Sequence, residues 1–372
     1  MMKRNVLAVV IPALLAAGAA NAAEVYNKDG NKLDLTGKIN AKYYSGKDSN
    51  NYFGDGDQTY ARLGVKGETK INSDLTGYGR FEYQFNADSA EDTNGSKGKT
   101  RYAYAGLRFG DLGSLDYGRN LGIAYDGIAF TDVVPEAGGD SSYTDNLTGR
   151  NAGVLTYRNK NFFGLVEGWD FGLQYQAKHE DDSSQIKRQT GDGWGLSSSY
   201  TAPFGVAVVA SYAKADRTDK QILDGRGKEA EVWATGLKYD ANSIYLATTY
   251  AEYHNLSYIN GTGSNRAANT LPGVAVGTAA DKTKVFEAVA QYNFDFGLTP
   301  SLAYVSAKAD DDTSAQKASG YLNKYVSVGA NYAFNKNFSA LVEYEINLIK
   351  DSNNASGSST DDMVAFGVTY QF

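Results

Sequence analysis

From about residue 33 to its last residue, the chain repeats one pattern: apolar and polar side chains alternate with a period of two. Leu33, Leu35, Gly37, Ile39, Ala41 and Tyr43 fall on one face, against Asp34, Thr36, Lys38, Asn40 and Lys42. Ala61, Leu63 and Val65 oppose Arg62, Lys66 and Glu68. Phe338, Ala340, Val342, Tyr344 and Ile346 oppose Ser339, Glu343 and Glu345, and the chain ends Val364, Phe366, Val368, Tyr370, Phe372. A period of two is the signature of a strand with two unlike faces. No stretch of about ten residues beyond the N-terminus carries a helical period instead. About sixteen such segments follow one another, at roughly 22 residues per strand plus connection. A strand tilted across a bilayer needs only about 9–11 residues.

The connections alternate too. Short ones carry turn chemistry, as in Asn72-Ser73-Asp74, Asp111-Leu112-Gly113, Asp240-Ala241-Asn242 and Asn335-Lys336-Asn337. Long ones, rich in Asp, Asn, Ser and Gly, cover about 45–58, 86–99, 120–149, 179–190, 217–228, 253–282, 309–321 and 348–361. Long and short connections in turn are what an antiparallel barrel in an outer membrane requires. A soluble β-sandwich also alternates, but it centres its aromatics. Here Tyr83, Phe85, Trp169, Tyr292, Phe294, Phe334, Phe338, Tyr370 and Phe372 stand at the ends of apolar faces, like an interfacial girdle. The opposite face carries too many charges for a packed core, so it faces water. The sequence therefore predicts an all-β, sixteen-stranded antiparallel transmembrane barrel, large enough to enclose an aqueous channel.

Composition narrows the chemistry. A mean hydropathy of −0.43 excludes a bundle of membrane helices. Zero Cys excludes disulfide scaffolds and thiol chemistry, and two His leave little for zinc or acid–base catalysis. A net charge of −7 argues against a nucleic-acid binder. His179 and His254 fall in predicted external loops near Ser183, Ser184 and Ser257, at spacings that form no catalytic motif. The expectation is no enzyme, no cofactor and no metal. At the N-terminus, Lys3 and Arg4 precede an apolar run from Val6 to Ala17 and a small-x-small site at Ala20-Asn21-Ala22. This reads as a secretory signal peptide spanning residues 1–22, cleaved after Ala22, with residues 23–372 as the barrel domain.

Several local sequences carry a resemblance: Thr59-Tyr60-Ala61-Arg62-Leu63-Gly64, Asn72-Ser73-Asp74-Leu75-Thr76-Gly77-Tyr78-Gly79, Asp116-Tyr117-Gly118-Arg119-Asn120, Pro135-Glu136, Thr156-Tyr157-Arg158-Asn159 and the terminal Tyr370-Gln371-Phe372. Together they resemble the enterobacterial general porins, on the osmoporin-like side, over essentially all of residues 23–372. The resemblance implies a homotrimer of barrels in the outer membrane of a Gram-negative bacterium. Each barrel would be a pore for small hydrophilic solutes and ions, with its third long loop folded inward. The alternative is a substrate-selective, saturable channel.

The third long connection, 120–149, holds Asp126, Asp132, Glu136, Asp140 and Asp145 and no Lys or Arg. Composition alone makes it a solvated external loop; the resemblance turns it into the pore. Alternation places Lys38 and Arg62 on the water-facing wall. Arg101 joins them if Tyr102 and Tyr104 face lipid or a neighbouring subunit, although that parity fails at Leu107 and Arg108. Periodicity leaves Arg150 ambiguous, with Ala152, Val154, Thr156 and Arg158 on its side. By resemblance, Arg62, Arg101 and Arg150, with Lys38 beside them, match the family's constriction cations, and Asp132, Glu136 and Asp140 lie on the facing loop. The resemblance also matches Glu91 and Arg119 to a contact between subunits, and Tyr370 and Phe372 to a signal for the barrel-assembly machinery.

Charged rings set ion preference, and the acidic mouth predicts a mild preference for cations. External Asp55, Asp57, Asp181, Asp182, Asp310, Asp311 and Asp312 read as solvated loop acids, or as divalent bridges to lipopolysaccharide. Three departures from the family stand at Thr36 and Leu121, where it has Tyr, and at Ala137, where it has Phe. They imply either a wider constriction or a loosened third loop.

Overall fold

The computed structural model describes residues 22–46, 56–89, 98–137, 146–180, 186–258, 279–311, 318–350 and 360–372. Eighteen strand segments form one sheet. The first half comprises β1 (Ala23–Lys28), β2 (Asn31–Gly46), β3 (Gly56–Asp57), β4 (Tyr60–Lys70), β5 (Thr76–Asn86), β6 (Lys99–Arg108), β7 (Ser114–Leu121), β8 (Arg150–Asn159) and β9 (Trp169–Gln176). The second comprises β10 (Gly193–Thr201), β11 (Val206–Asp216), β12 (Glu229–Ala241), β13 (Ile244–His254), β14 (Lys282–Tyr292), β15 (Leu298–Asp311), β16 (Ala318–Ala333), β17 (Phe338–Asn347) and β18 (Met363–Gln371). All the pairings are antiparallel, and β18 closes the ring onto β2, from Gln371↔Lys38 to Met363↔Gly46.

Two segments continue other strands. β3 and β4 follow one another along the same flank of β2. β1 takes up the opposite flank of β2 where β18 leaves it. The wall therefore has sixteen staves, as the alternation predicts. Closure removes the unpaired edge that no bilayer tolerates. At the seam, Gly37 and Phe372 exchange both backbone hydrogen bonds, at 2.8 and 2.9 Å. The Phe372 ring lies so close over Gly37 that a Cβ there would meet it at 2.2 Å, so any larger residue would displace the ring.

The apolar face points outward. Leu63, Phe85, Leu173, Val208, Leu302, Val342 and Phe366 are all exposed on the outside of the chain. At the short-turn end Tyr292, Phe294 and Phe296 touch ring to ring, as do Tyr332, Phe334 and Phe338, and Tyr370 with Phe372. This is the interfacial girdle expected from the sequence. The turn expected at Asp240–Asn242 falls slightly later, because Ala241 still pairs with Ile244. Asn242 and Ser243 take the left-handed φ values, 55° and 63°, of a two-residue hairpin turn.

The long connections do not all dangle. Arg226, between β11 and β12, pairs with Asp281 at 2.8 Å and with both carboxylate oxygens of Asp311 at the end of β15. Those carboxylates hold its guanidinium above its usual pKa. Two connections and the end of β15 are thereby tied at one point. Asp311 is fully buried, and Asp310 lies 3.8 Å from both Lys284 and Lys308, so neither is the solvated loop acid expected. Asp57 caps its own turn, accepting from the Thr59 N–H and hydroxyl, while Asp55, Asp181, Asp182 and Asp312 lie outside the described residues. Removing one partner of a buried ion pair costs about 3–5 kcal/mol. Arg226→Gln is accordingly expected to speed protease cleavage in these connections at least tenfold while the strands stay protected. Equal cleavage of both proteins would refute the clasp.

Candidate functional site

The third long loop leaves β7 at Leu121 and turns into the barrel. Its first turn, Ile123–Gly127, is pinned to the wall. Ile123 N–H donates to Gln174 Oε1 at 2.9 Å, and the Gln174 amide donates to the Leu121 carbonyl. Ser211 donates to the Ala124 carbonyl at 3.0 Å. Ile123, Ala124, Ile128 and Leu147 pack against small wall residues such as Ala213, Ala234 and Ala251. Apolar packing inside the barrel occurs here because the loop supplies the second layer. Further on, Tyr245 donates to the Phe130 carbonyl at 2.6 Å, Thr131 to Glu287 at 2.6 Å, and Gln291 to the Val133 carbonyl at 2.9 Å. At the tip, Glu343 accepts from the N–H groups of Glu136 and Ala137, at 2.6 and 3.0 Å. The loop thus follows the inner wall from β9 round to β17, as the resemblance implied.

Three of the loop's acids have defined partners. Asp126 takes a two-pronged pair from Arg158, at 2.7 and 3.1 Å, and a hydrogen bond from Ser197. Asp132 accepts from the Tyr125 hydroxyl at 2.5 Å and is otherwise exposed. Glu136 accepts from Lys42 at 2.7 Å and Tyr44 at 2.6 Å. Asp140 and Asp145 lie outside the described residues.

Strand register gathers the cations on the other side. Lys38 pairs with Arg62, and Arg62 with Gln84, so all three share one row. Arg62 Nε donates to Gln84 Oε1 at 3.0 Å, and its guanidinium lies 4.5 Å from the Tyr60 ring centre. Arg150 lies 5.8 Å from the ring centre of Tyr102. Lys38, Arg62 and Arg150 form no ion pair with a described carboxylate. Arg101 reaches the lumen by a route that alternation misjudges. The β5–β6 register shifts between Glu82 and Tyr83, so Arg101 bulges and its Nε meets Glu82 at 2.7 Å. A bulge inverts the parity after it. Tyr102 and Tyr104 therefore face the lumen, not lipid or a neighbour, while Ala103, Ala105 and Leu107 face out. This resolves the parity conflict at Leu107 and Arg108. At β8, Gly153 with φ +70° breaks the alternation that seemed to join Arg150 to Val154, Thr156 and Arg158.

Other expected residues divide. Arg119 Nε donates to its own chain's Thr100 carbonyl at 2.9 Å; Glu91 lies outside the described residues. Tyr370 faces outward, and Phe372 closes the seam. Lys42, Arg158, Glu287 and Glu343 hold the loop but were not singled out from the sequence. Parity alone puts Lys42 beside Lys38 and Glu343 on the water-facing side of β17, so the signal existed. His254 ends β13 beside Glu252 at 3.4 Å, rather than lying in a loop.

The comparisons agree with this geometry. The Gram-negative porin family model matches residues 28–372. Outer membrane protein F of Serratia marcescens is 52% identical over 380 residues, and outer membrane porin F of Escherichia coli K12 is 53% identical over 378, each covering both chains completely. Among solved structures, OmpF of Salmonella typhi in complex with daunomycin superposes with a TM-score of 0.82 at 44% identity, over 94% of this chain and 100% of that one. OmpT of Vibrio cholerae, at 14% identity, 94% of this chain, 100% of its own and a TM-score of 0.64, shares the fold alone. The chain belongs to the Gram-negative porin family, and is an outer-membrane channel rather than an enzyme.

Proposed function

We propose that this chain is a general diffusion porin whose passage is filtered by size and charge between the Lys38, Arg62, Arg101 and Arg150 wall and the loop bearing Asp132, Glu136 and Asp140. One observation carries the reading: Lys38, Arg62 and Arg150 lack a described carboxylate partner, while the loop facing them is fastened at both root and tip. Guanidiniums keep their charge at any working pH. The gap therefore holds a strong transverse field. Small polar solutes align in it and pass, and apolar ones pass poorly.

The net preference is mildly cationic. Loss of the leader takes the charge from −7 to −9, and acidic mouths concentrate cations. The wall arginines oppose this and keep it small. A reversal potential on the anion side in a salt gradient would overturn this balance. A saturable, substrate-selective channel is disfavoured, because two of the lumen tyrosines are covered by cations: Arg62 lies over Tyr60, and Arg80 over Tyr102 at 3.8 Å.

The Ala137 departure bears on pore width. Ala137 is fully buried and packs against Val305 and Tyr325, not into the lumen. Less bulk there lets the loop lie closer to the wall, so we assign it to a wider passage. Ala137→Phe overpacks this contact, at about 1–3 kcal/mol, and is expected to push the loop tip inward and lower single-pore conductance. Unchanged conductance would count against this.

Residues 1–22 are proposed to be removed on export, which the mass of the mature N-terminus tests. Assembly as a homotrimer, a contact from Glu91 to Arg119 of a neighbouring copy, contact with lipopolysaccharide, and recognition of the Tyr370–Phe372 end by the barrel-assembly machinery complete the proposal. The family membership supports the trimer, and the exposed apolar band supports the lipid contact.

A further inference from the structure

An uncharged ring stands among the constriction cations. Tyr102 follows the bulged Arg101 in β6 and faces the lumen. Two guanidiniums approach it from the two flanks of that strand. Arg80, on β5, lies 3.8 Å from the ring centre, and Arg150, at the start of β8, lies 5.8 Å from it. Both fall within the roughly 6 Å over which the negative face of a ring attracts a cation.

The two arginines are held unequally. Arg80 donates to Glu82 at 2.7 Å and hydrogen-bonds Tyr104, so it keeps its place without Tyr102 and in turn fixes the ring. Of the other constriction arginines, Arg101 has Glu82 at 2.7 Å and Arg62 has Gln84 at 3.0 Å. The Arg150 side chain makes no hydrogen bond and no ion pair among the described residues, and rests against the Tyr102 ring. Its place in the backbone matters too. Arg150 pairs with Leu121, the last residue of β7, so it stands at the neck from which the third loop departs. The loop carries Tyr125 within electrostatic reach of both Tyr102 and Arg150. The Tyr125 hydroxyl donates to Asp132 at 2.5 Å, and Asp132 is otherwise exposed. A guanidinium without its ring would therefore have the Asp132 carboxylate to swing toward.

We propose that Tyr102 is a positioning residue of the filter: its ring, locked by Arg80, holds the Arg150 guanidinium against the wall and keeps it from pairing with Asp132 across the gap. The inference rests on the charge-filtered channel proposed above. At about 4 Å in water, a released guanidinium is biased toward a carboxylate about fivefold. The pair so formed bridges the path.

The test is single-pore conductance in a planar bilayer, with variants of Tyr102 that leave the charge unchanged. Tyr102→Leu removes bulk from the lumen, so width alone predicts a larger current. The positioning role predicts the opposite: conductance falls about twofold in 0.1 M salt and recovers in 1 M salt, where screening shortens to about 3 Å. Tyr102→Phe keeps the ring face and should give the wild-type value. Tyr102→Leu combined with Arg150→Gln should lose the fall, since no guanidinium is left to cross. Tyr102→Met, long and apolar but without a ring, is read in the same way should the leucine variant fail to fold. An unchanged or larger current in the leucine and methionine variants would overturn the role. So would an equal fall in Tyr102→Phe, or in the variant that lacks Arg150. Wild-type protein that inserts folded but silent would overturn the channel reading and this inference with it; conducting wild-type pores with unaltered variants overturn the inference alone.

Discussion

Glu343→Ala is expected to free the tip of the third loop and make the single-pore current several times noisier. The side chain is fully buried. Its carboxylate accepts the N–H groups of Glu136 and Ala137, and the Ser327 hydroxyl donates to its other oxygen. Alanine leaves two buried N–H groups without an acceptor, at about 1–3 kcal/mol each. The loop escapes that penalty by leaving the wall for water. Glu136 then moves away from Lys42 and Tyr44, which now hold it at 2.7 and 2.6 Å. Glu343→Gln keeps an acceptor of the same shape and should stay quiet. If the alanine variant were as quiet as wild type, the tip must be held elsewhere.

The second large effect concerns selectivity. Arg62→Gln with Arg150→Gln removes two of the three constriction cations that have no described carboxylate partner. A unit charge at 4 Å in water is worth about 1 kcal/mol. The cation-to-anion permeability ratio should therefore rise about fivefold in 0.1 M salt and much less in 1 M salt, where screening shortens to about 3 Å. Folding should be unaffected, since lumen substitutions in such barrels tune selectivity. An unchanged ratio would mean that the field at the constriction has another source.

Much of this was legible in the residues, and the failures have physical causes. Alternation finds the outward face wherever a strand is regular. It places Lys38 and Arg62 in the lumen because β2 and β4 pair without a slip from Asn31 to Asn40. It fails at Tyr102 and Tyr104 because one bulged residue, Arg101, reverses the parity of everything after it in β6. It is ambiguous at Arg150 because Gly153 breaks the strand's alternation. The inward path of the third loop was not legible from composition, since five acids and no Lys or Arg also describe a solvated loop. What decides the path is the set of wall side chains placed to receive it: Arg158, Gln174, Ser211, Tyr245, Gln291 and Glu343. They lie on six different strands, and only closure of the barrel brings them around one loop.

The most direct test of an open, charge-lined barrel is the conductance of the purified protein in a planar lipid bilayer under a salt gradient. The expected result is insertions that conduct at once, close in three equal steps and show a small reversal potential on the cation side. Silent insertion of folded, heat-modifiable protein would contradict it, for the lumen between the arginine wall and the third loop would then be closed.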